Sequence, residues 1–146
     1  MVTVSETIRI ERPVADVFEY LDDPRNHVEI TPSLAEVRNI EPLENGGKRV
    51  EHTYTMAGVS VDGELVEQIH EENARLQFEM RGTLSGEIDI TLEPIDGHTR
   101  VDYTATYELP GRVVAEVAKP FVRRYNDLEL STTLENLKTR LEAGQS

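Results

Sequence analysis

Residues Gly111 to Glu142, GRVVAEVAKPFVRRYNDLELSTTLENLKTRLE, decide how the rest of the chain is read. Pro110 closes the strand-like run before them and Gly144 follows the last periodic Leu, so the segment carries the punctuation of one helix. At ~1.5 Å per residue it is roughly 45 Å long, enough to cross a small domain. Leu130, Leu134, Leu137 and Leu141 recur at i, i+4, i+7 and i+11 and make one narrow stripe. Burying four Leu contributes a gross ~6–12 kcal/mol, comparable with the net stability of a whole domain. This half braces the fold.

The upstream half behaves differently. Val114, Val117, Ala118, Phe121, Tyr125 and Leu128 form a second helical stripe on the opposite side, while the Leu face continues into Arg123, Asn126 and Asp127. Pro120 lacks the N–H for its i−4 bond, which predicts a kink or break near Lys119. Two arrangements account for the reversal. A long helix lies over an open sheet with a cavity under one half, or an outer apolar stripe serves a homodimer.

Outward from the helix, the preceding residues alternate with period two. Strands are expected over Leu34–Pro42, Lys48–Ala57, Val59–His70, Leu76–Arg81, Glu87–Glu93 and Arg100–Leu109, with one more over Thr3–Glu11. Short connectors with turn chemistry, such as Asn45-Gly46-Gly47 and Asp96-Gly97, imply an antiparallel meander. Pro13 opens an amphipathic helix carrying Val14, Val17, Phe18 and Leu21, and a second short piece covers Arg25 to Glu29. One parity of the sheet carries Val50, His52, Tyr54, Met56, Val61, Leu65, Glu67, Ile69, Leu76, Phe78, Met80, Ile88, Ile90, Leu92, Val101, Tyr103, Ala105 and Tyr107, and is expected to face the long helix. The result is a single α+β domain over 1–146, about seven strands with two short helices after the first, and a loose tail at 143–146.

Composition excludes several classes. Zero Cys removes thiolate nucleophiles, disulfides and Cys-based zinc sites. A net charge of −13 argues against nucleic acid or an anionic membrane as a partner, and no apolar run is long enough to insert in a bilayer. The amino-terminus lacks a signal-peptide pattern, so a cytoplasmic location is expected. Only three of the fifteen basic residues are Lys. Such a surface fits a high-salt cytoplasm, and a GC-rich genome with an ordinary acidic surface accounts for it equally.

Two signatures bracket the chain. The first is Ile8-x-Ile10-x-x-Pro13-x-x-x-Val17-Phe18-x-Tyr20-Leu21-x-Asp23-Pro24-x-Asn26, followed by Thr31-Pro32-Ser33. The second is Thr99-Arg100-Val101-x-Tyr103-x-x-x-Tyr107-x-Leu109-Pro110-Gly111, ending at Leu134-x-x-Leu137-Lys138-x-x-Leu141-Glu142. In order and spacing they resemble the START/Bet v 1-like (SRPBCC) superfamily, and within it the polyketide cyclase/dehydrase and lipid-transport group. The resemblance implies a helix-grip fold, a curved sheet wrapped around the C-terminal helix with an apolar cavity between them. The chain departs from many relatives in lacking a Trp before Pro32.

The predicted ligand-contacting set is His52, Tyr54, Met56, Phe78, Met80, Ile90, Tyr103, Tyr107, Phe121 and Tyr125: apolar, with a few polar tips. His52 is the candidate general base, against the plainer reading of a hydrogen-bonded core histidine. Glu67 is a second candidate base, against a strand-end carboxylate tilted into water. Arg123, Asn126 and Asp127 form either a cavity-facing cluster or a solvated ion-paired face. The histidines at 27, 52, 70 and 98 have no metal-ligand spacing, and neither metal nor cofactor is expected. The leading function is binding of a hydrophobic small molecule or lipid. The alternatives are a polyketide cyclase/dehydratase-type enzyme and a quinone-accessory or ribosome-associated interaction module.

Overall fold

A computed structural model describes the backbone of residues 2–56, 59–108 and 119–143, and the side chains of 3–55, 60–108 and 127–143. It has strands β1 (Val2–Ile10), β2 (Leu34–Pro42), β3 (Lys48–Met56), β4 (Val59–Glu71), β5 (Arg75–Gly82), β6 (Ser85–Ile95) and β7 (His98–Glu108). Helices α1 (Val14–Asp22) and α2 (Pro24–Ile30) follow β1, and α3 (Lys119–Ala143) ends the described chain. One seven-stranded sheet runs in the order β1-β7-β6-β5-β4-β3-β2, every neighbour antiparallel. β2 to β7 form the expected meander, and the sheet curves around the C-terminal helix in a helix-grip fold. The β6–β7 hairpin turns at Asp96 and Gly97, both at positive φ, as an Asp-Gly pair favours.

The two-faced alternation of the sequence is the two-faced sheet of the structure. Val50, Tyr54, Val61, Leu65, Leu76, Phe78, Met80, Ile88, Ile90, Leu92, Val101, Ala105 and Tyr107 are buried, facing Leu130, Leu134, Leu137 and Leu141 of α3 in one core. Outside, the opposite parity carries cross-strand ion pairs such as Arg49–Glu64 and Arg75–Asp89 at 2.6 Å.

Alternation breaks once where it matters. The β4–β5 register slips between Glu67 and Ile69, so Glu67 lies opposite Phe78 while His70 lies opposite Leu76. This bulge puts both Glu67 and His70 on the inner face and leaves Ile69 opposite Gln77, outside the core where unbroken alternation had placed it. Glu67 is 2 % exposed, so the expectation that it tilts into water is also corrected.

At the helices, Pro13 is the N-cap of α1 in extended conformation rather than its first residue. Asp23 caps α2 by accepting the Arg25 N–H at 3.0 Å, with Pro24 in the first turn. α3 is tied down from Glu129 to its C-terminal end. Asn136 Nδ2 donates to the Ile30 carbonyl and the Glu129 carboxylate accepts the Ser33 N–H, while Arg12 reaches the Leu141 carbonyl at the C-terminal end. Leu128, on the other side, is 63 % exposed. The predicted helix start and the kink near Lys119 fall outside or at the border of the described residues.

Candidate functional site

Two small cavities lie between the inner face of the sheet and the helices. One, about 30 Å³, is walled by Leu34, Val37, Val50, Leu65, Phe78, Ile88 and Ile90, with Asp22, His27, Thr31, Tyr54, Glu67 and Tyr103 as its polar members. The other, about 60 Å³, runs under α3 past Val4, Met80, Ala105, Tyr107, Leu130 and Thr133. They share Thr31, Tyr54, Ile88 and Tyr103, so the two tyrosine side chains contribute to both. Each void has room for a few water-sized groups and is smaller than the roughly 300 Å³ of an open ligand pocket. An outer groove of about 660 Å³ between α1, α2, β3 and the end of α3 shares Asp22 and Pro24 with the first cavity, which makes the α1–α2 turn the wall between them.

Polar groups converge at the α1–α2 end. Glu67 Oε1 accepts the Lys48 N–H at 3.0 Å, and Glu67 Oε2 meets His70 Nδ1 at 2.8 Å. Asp22 Oδ1 lies 3.6 Å from the same His70 nitrogen and 3.2 Å from Lys48 Nζ. The β2–β3 turn folds over them: Asn45 Nδ2 donates to the Glu67 carbonyl and Asn45 Oδ1 accepts the Gly47 N–H. Burial pushes the Glu67 pKa up, and its hydrogen bond with His70 opposes that shift. Asp22, Glu67 and His70 bring one ligand atom each within 4.8 Å of one another, which makes them the set able to hold a metal ion among the described residues. Lys48 already stands beside Asp22, and its ammonium opposes a cation there.

His27 completes this end. Nε2 lies 2.7 Å from the Leu21 carbonyl, and burial lowers the ring's pKa, so the neutral ring donates through Nε2 and keeps an acceptor at Nδ1. Its ring stands edge-on to Phe78 at 6.4 Å. On the α3 side, burial raises the phenol pKa of Tyr54 and Tyr103 far above its ordinary value, and the Glu129 carboxylate adds to both shifts.

The sequence-predicted residues divide. Tyr54, Phe78, Ile90 and Tyr103 wall the first cavity, and Met80 and Tyr107 join Tyr54 and Tyr103 around the second. Met56, Phe121 and Tyr125 lie outside the described side chains, as do Arg123 and Asn126; Asp127 is exposed. His52 points inward at 1 % exposure but walls neither cavity. Its ring packs on Gly63 and stands 4.7 Å from Tyr54, edge to face. Neither nitrogen makes a well-formed hydrogen bond among the described residues, although the Glu64 backbone favours the proton slightly. Burial, and after it the Arg38 guanidinium, pushes the His52 pKa down to about 4. Sequence reasoning missed Asp22, His27 and His70. The one available signal was a second polar residue, His70, three positions after Glu67 on the same strand, where a single bulge turns both inward.

Residues 1–142 match the family described as polyketide cyclase / dehydrase and lipid transport. The chain belongs to that family. It is thereby a hydrophobic-ligand-binding or polyketide-cyclase-type protein. Solved structures with the same fold include a Thermus thermophilus protein at 21% identity and TM-score 0.84, covering 99% of both chains. A START superfamily protein from Mycobacterium smegmatis is 16% identical, with TM-score 0.75 and 97% of each chain covered. The Zhui aromatase/cyclase from Streptomyces sp. R1128 is 15% identical, with TM-score 0.75, covering 99% of this chain and 98% of that one. At such identities the likeness is one of fold. No curated protein is significantly similar in sequence. Among the described residues no helix is long and apolar enough to cross a membrane.

Proposed function

We propose that this family member is a carrier that holds an apolar small molecule or lipid between the sheet and α3. The observation that supports it most is the pair of adjoining, mainly apolar cavities that share Tyr54 and Tyr103. A ligand enters by turning those side chains and joining the voids. The interaction-module alternative needs an exposed apolar patch, and Leu128 is the single large exposed apolar residue among those described.

A cyclase-type reaction is the second reading. It is favoured by titratable groups with displaced pKa values at one end of the cavity, Glu67 upward and His27 downward. Mass spectrometry of small molecules released from the protein purified from its own cells tests the carrier reading. A stoichiometric apolar compound is expected. A protein that carries none, and binds none from an extract of those cells, overturns it.

A further inference from the structure

Three features shape the environment of Glu67, and none is needed merely to pack a sheet. The bulge after Glu67 turns it and His70 to the same face. Gly47 leaves the space that the carboxylate fills, since a Cβ there would lie 2.6 Å from Glu67 Cδ. Asn45 fastens the turn to the Glu67 carbonyl at 2.9 Å. A carboxylate held this way on an otherwise apolar face is costly unless its acceptor positions are used.

An ionised carboxylate offers about four acceptor sites, and the Lys48 N–H and His70 account for two. The neighbouring polar groups of this cavity end are acceptors too: Asp22, and His27 through Nδ1 once Nε2 donates to Leu21. Lys48 Nζ is drawn to Asp22. The complement of several acceptors at the end of an apolar cavity is a neutral donor. A carboxylate ligand would bring a third negative group beside Asp22 and Glu67, with one ammonium to offset them.

From this we infer that Glu67, Asp22 and His27, with His70 holding Glu67 from behind, form a binding site for a hydroxyl group, phenolic or alcoholic, at one end of an apolar ligand. The ligand's hydroxyl donates to Glu67, and its apolar body lies along Phe78, Ile90 and Tyr103. The site therefore sorts hydroxylated apolar molecules from fatty acids and other carboxylates. This rests on the carrier reading and specifies its ligand class.

The test uses three probes that share a ring and methyl group and differ at the other end: p-cresol, toluene and p-toluate. Dissociation constants are read from NMR chemical-shift titrations of the full chain at neutral pH. The wild type is expected to bind p-cresol at least tenfold tighter than toluene and to bind p-toluate weakest. Glu67→Gln should lose most of the p-cresol preference while its toluene affinity stays within about threefold. If Glu67→Gln fails to fold, intermolecular NOEs in the wild type decide instead: the methyl end of p-cresol should contact Phe78 and Ile90 with its hydroxyl end towards Glu67, and the inverted pose overturns the inference. Toluene binding with no advantage for p-cresol overturns this inference and leaves the carrier reading standing. A preference that survives Glu67→Gln also overturns it. Failure of all three probes to bind counts against both.

Discussion

Gly47 stands against Glu67 so closely that a methyl group added at Gly47 would come within 2.6 Å of Glu67 Cδ and 2.7 Å of its Cβ. Gly47 is not among the residues at positive φ, so the glycine answers to this contact rather than to backbone conformation. Gly47→Ala should therefore destabilise the fold by about 1–3 kcal/mol, as overpacking does. Urea melts measure it. A change within about 0.5 kcal/mol would mean that the β2–β3 turn moves freely off Glu67.

Leu137→Ala should cost about 2–5 kcal/mol and Leu128→Ala less than about 0.5 kcal/mol. Leu137 is 1 % exposed in the stripe that faces the core, and Leu128 lies outside it. Denaturant melts of the two variants, side by side, decide the matter. Equal losses would contradict the brace described for α3.

His52 predicts a pH dependence of stability. Its pKa falls from an ordinary 6.5 to about 4 on folding. As pH drops below 6.5 the unfolded chain takes up the proton first, so folding loses stability until the folded pKa is reached. Over that window the loss from this group is roughly 3 kcal/mol. His52→Gln removes the group. The stability gap between wild type and variant should thus shift by about that amount between pH 7.5 and 4, and parallel curves would show that His52 is solvated in the folded protein.

The sheet and the α3 brace were legible in the sequence because both rest on periodicity, which survives without knowledge of tertiary contacts. Leu130, Leu134, Leu137 and Leu141 are buried as their spacing requires, and Val50 through Tyr107 alternate as the pleat requires apart from the bulge after Glu67. The apolar part of the site followed from the same parity. Its polar end did not. A bulge moves His70 inward by inserting one residue, and no composition rule marks where a bulge falls. Asp22 reaches the cluster from α1, a helix end that reads as a simple breaker in Asp22-Asp23-Pro24. His52 shows the converse: parity alone placed it inside, but an inward residue is not necessarily a cavity residue.

Net charge of −13 on a chain of 146 residues predicts self-repulsion that salt relieves. The Debye length falls from ~10 Å at 0.1 M to ~3 Å at 1 M, so the thermal midpoint should rise with KCl over that range. A midpoint that is flat or falls would show that the outer ion pairs, Arg49–Glu64 and Arg75–Asp89 among them, already balance the surface.

An apolar ligand is expected to occupy the space between the sheet and α3, and toluene tests this with the least chemistry. At ten times its Kd, a ligand that binds only the folded state adds about 1.4 kcal/mol to stability, measured as a shift in the urea midpoint at constant slope. Phe78 walls the first cavity, and Phe78→Trp fills that space. A toluene-dependent shift is expected in the wild type, and Phe78→Trp should largely abolish it. No shift in the wild type, or the same shift in Phe78→Trp, would contradict this expectation.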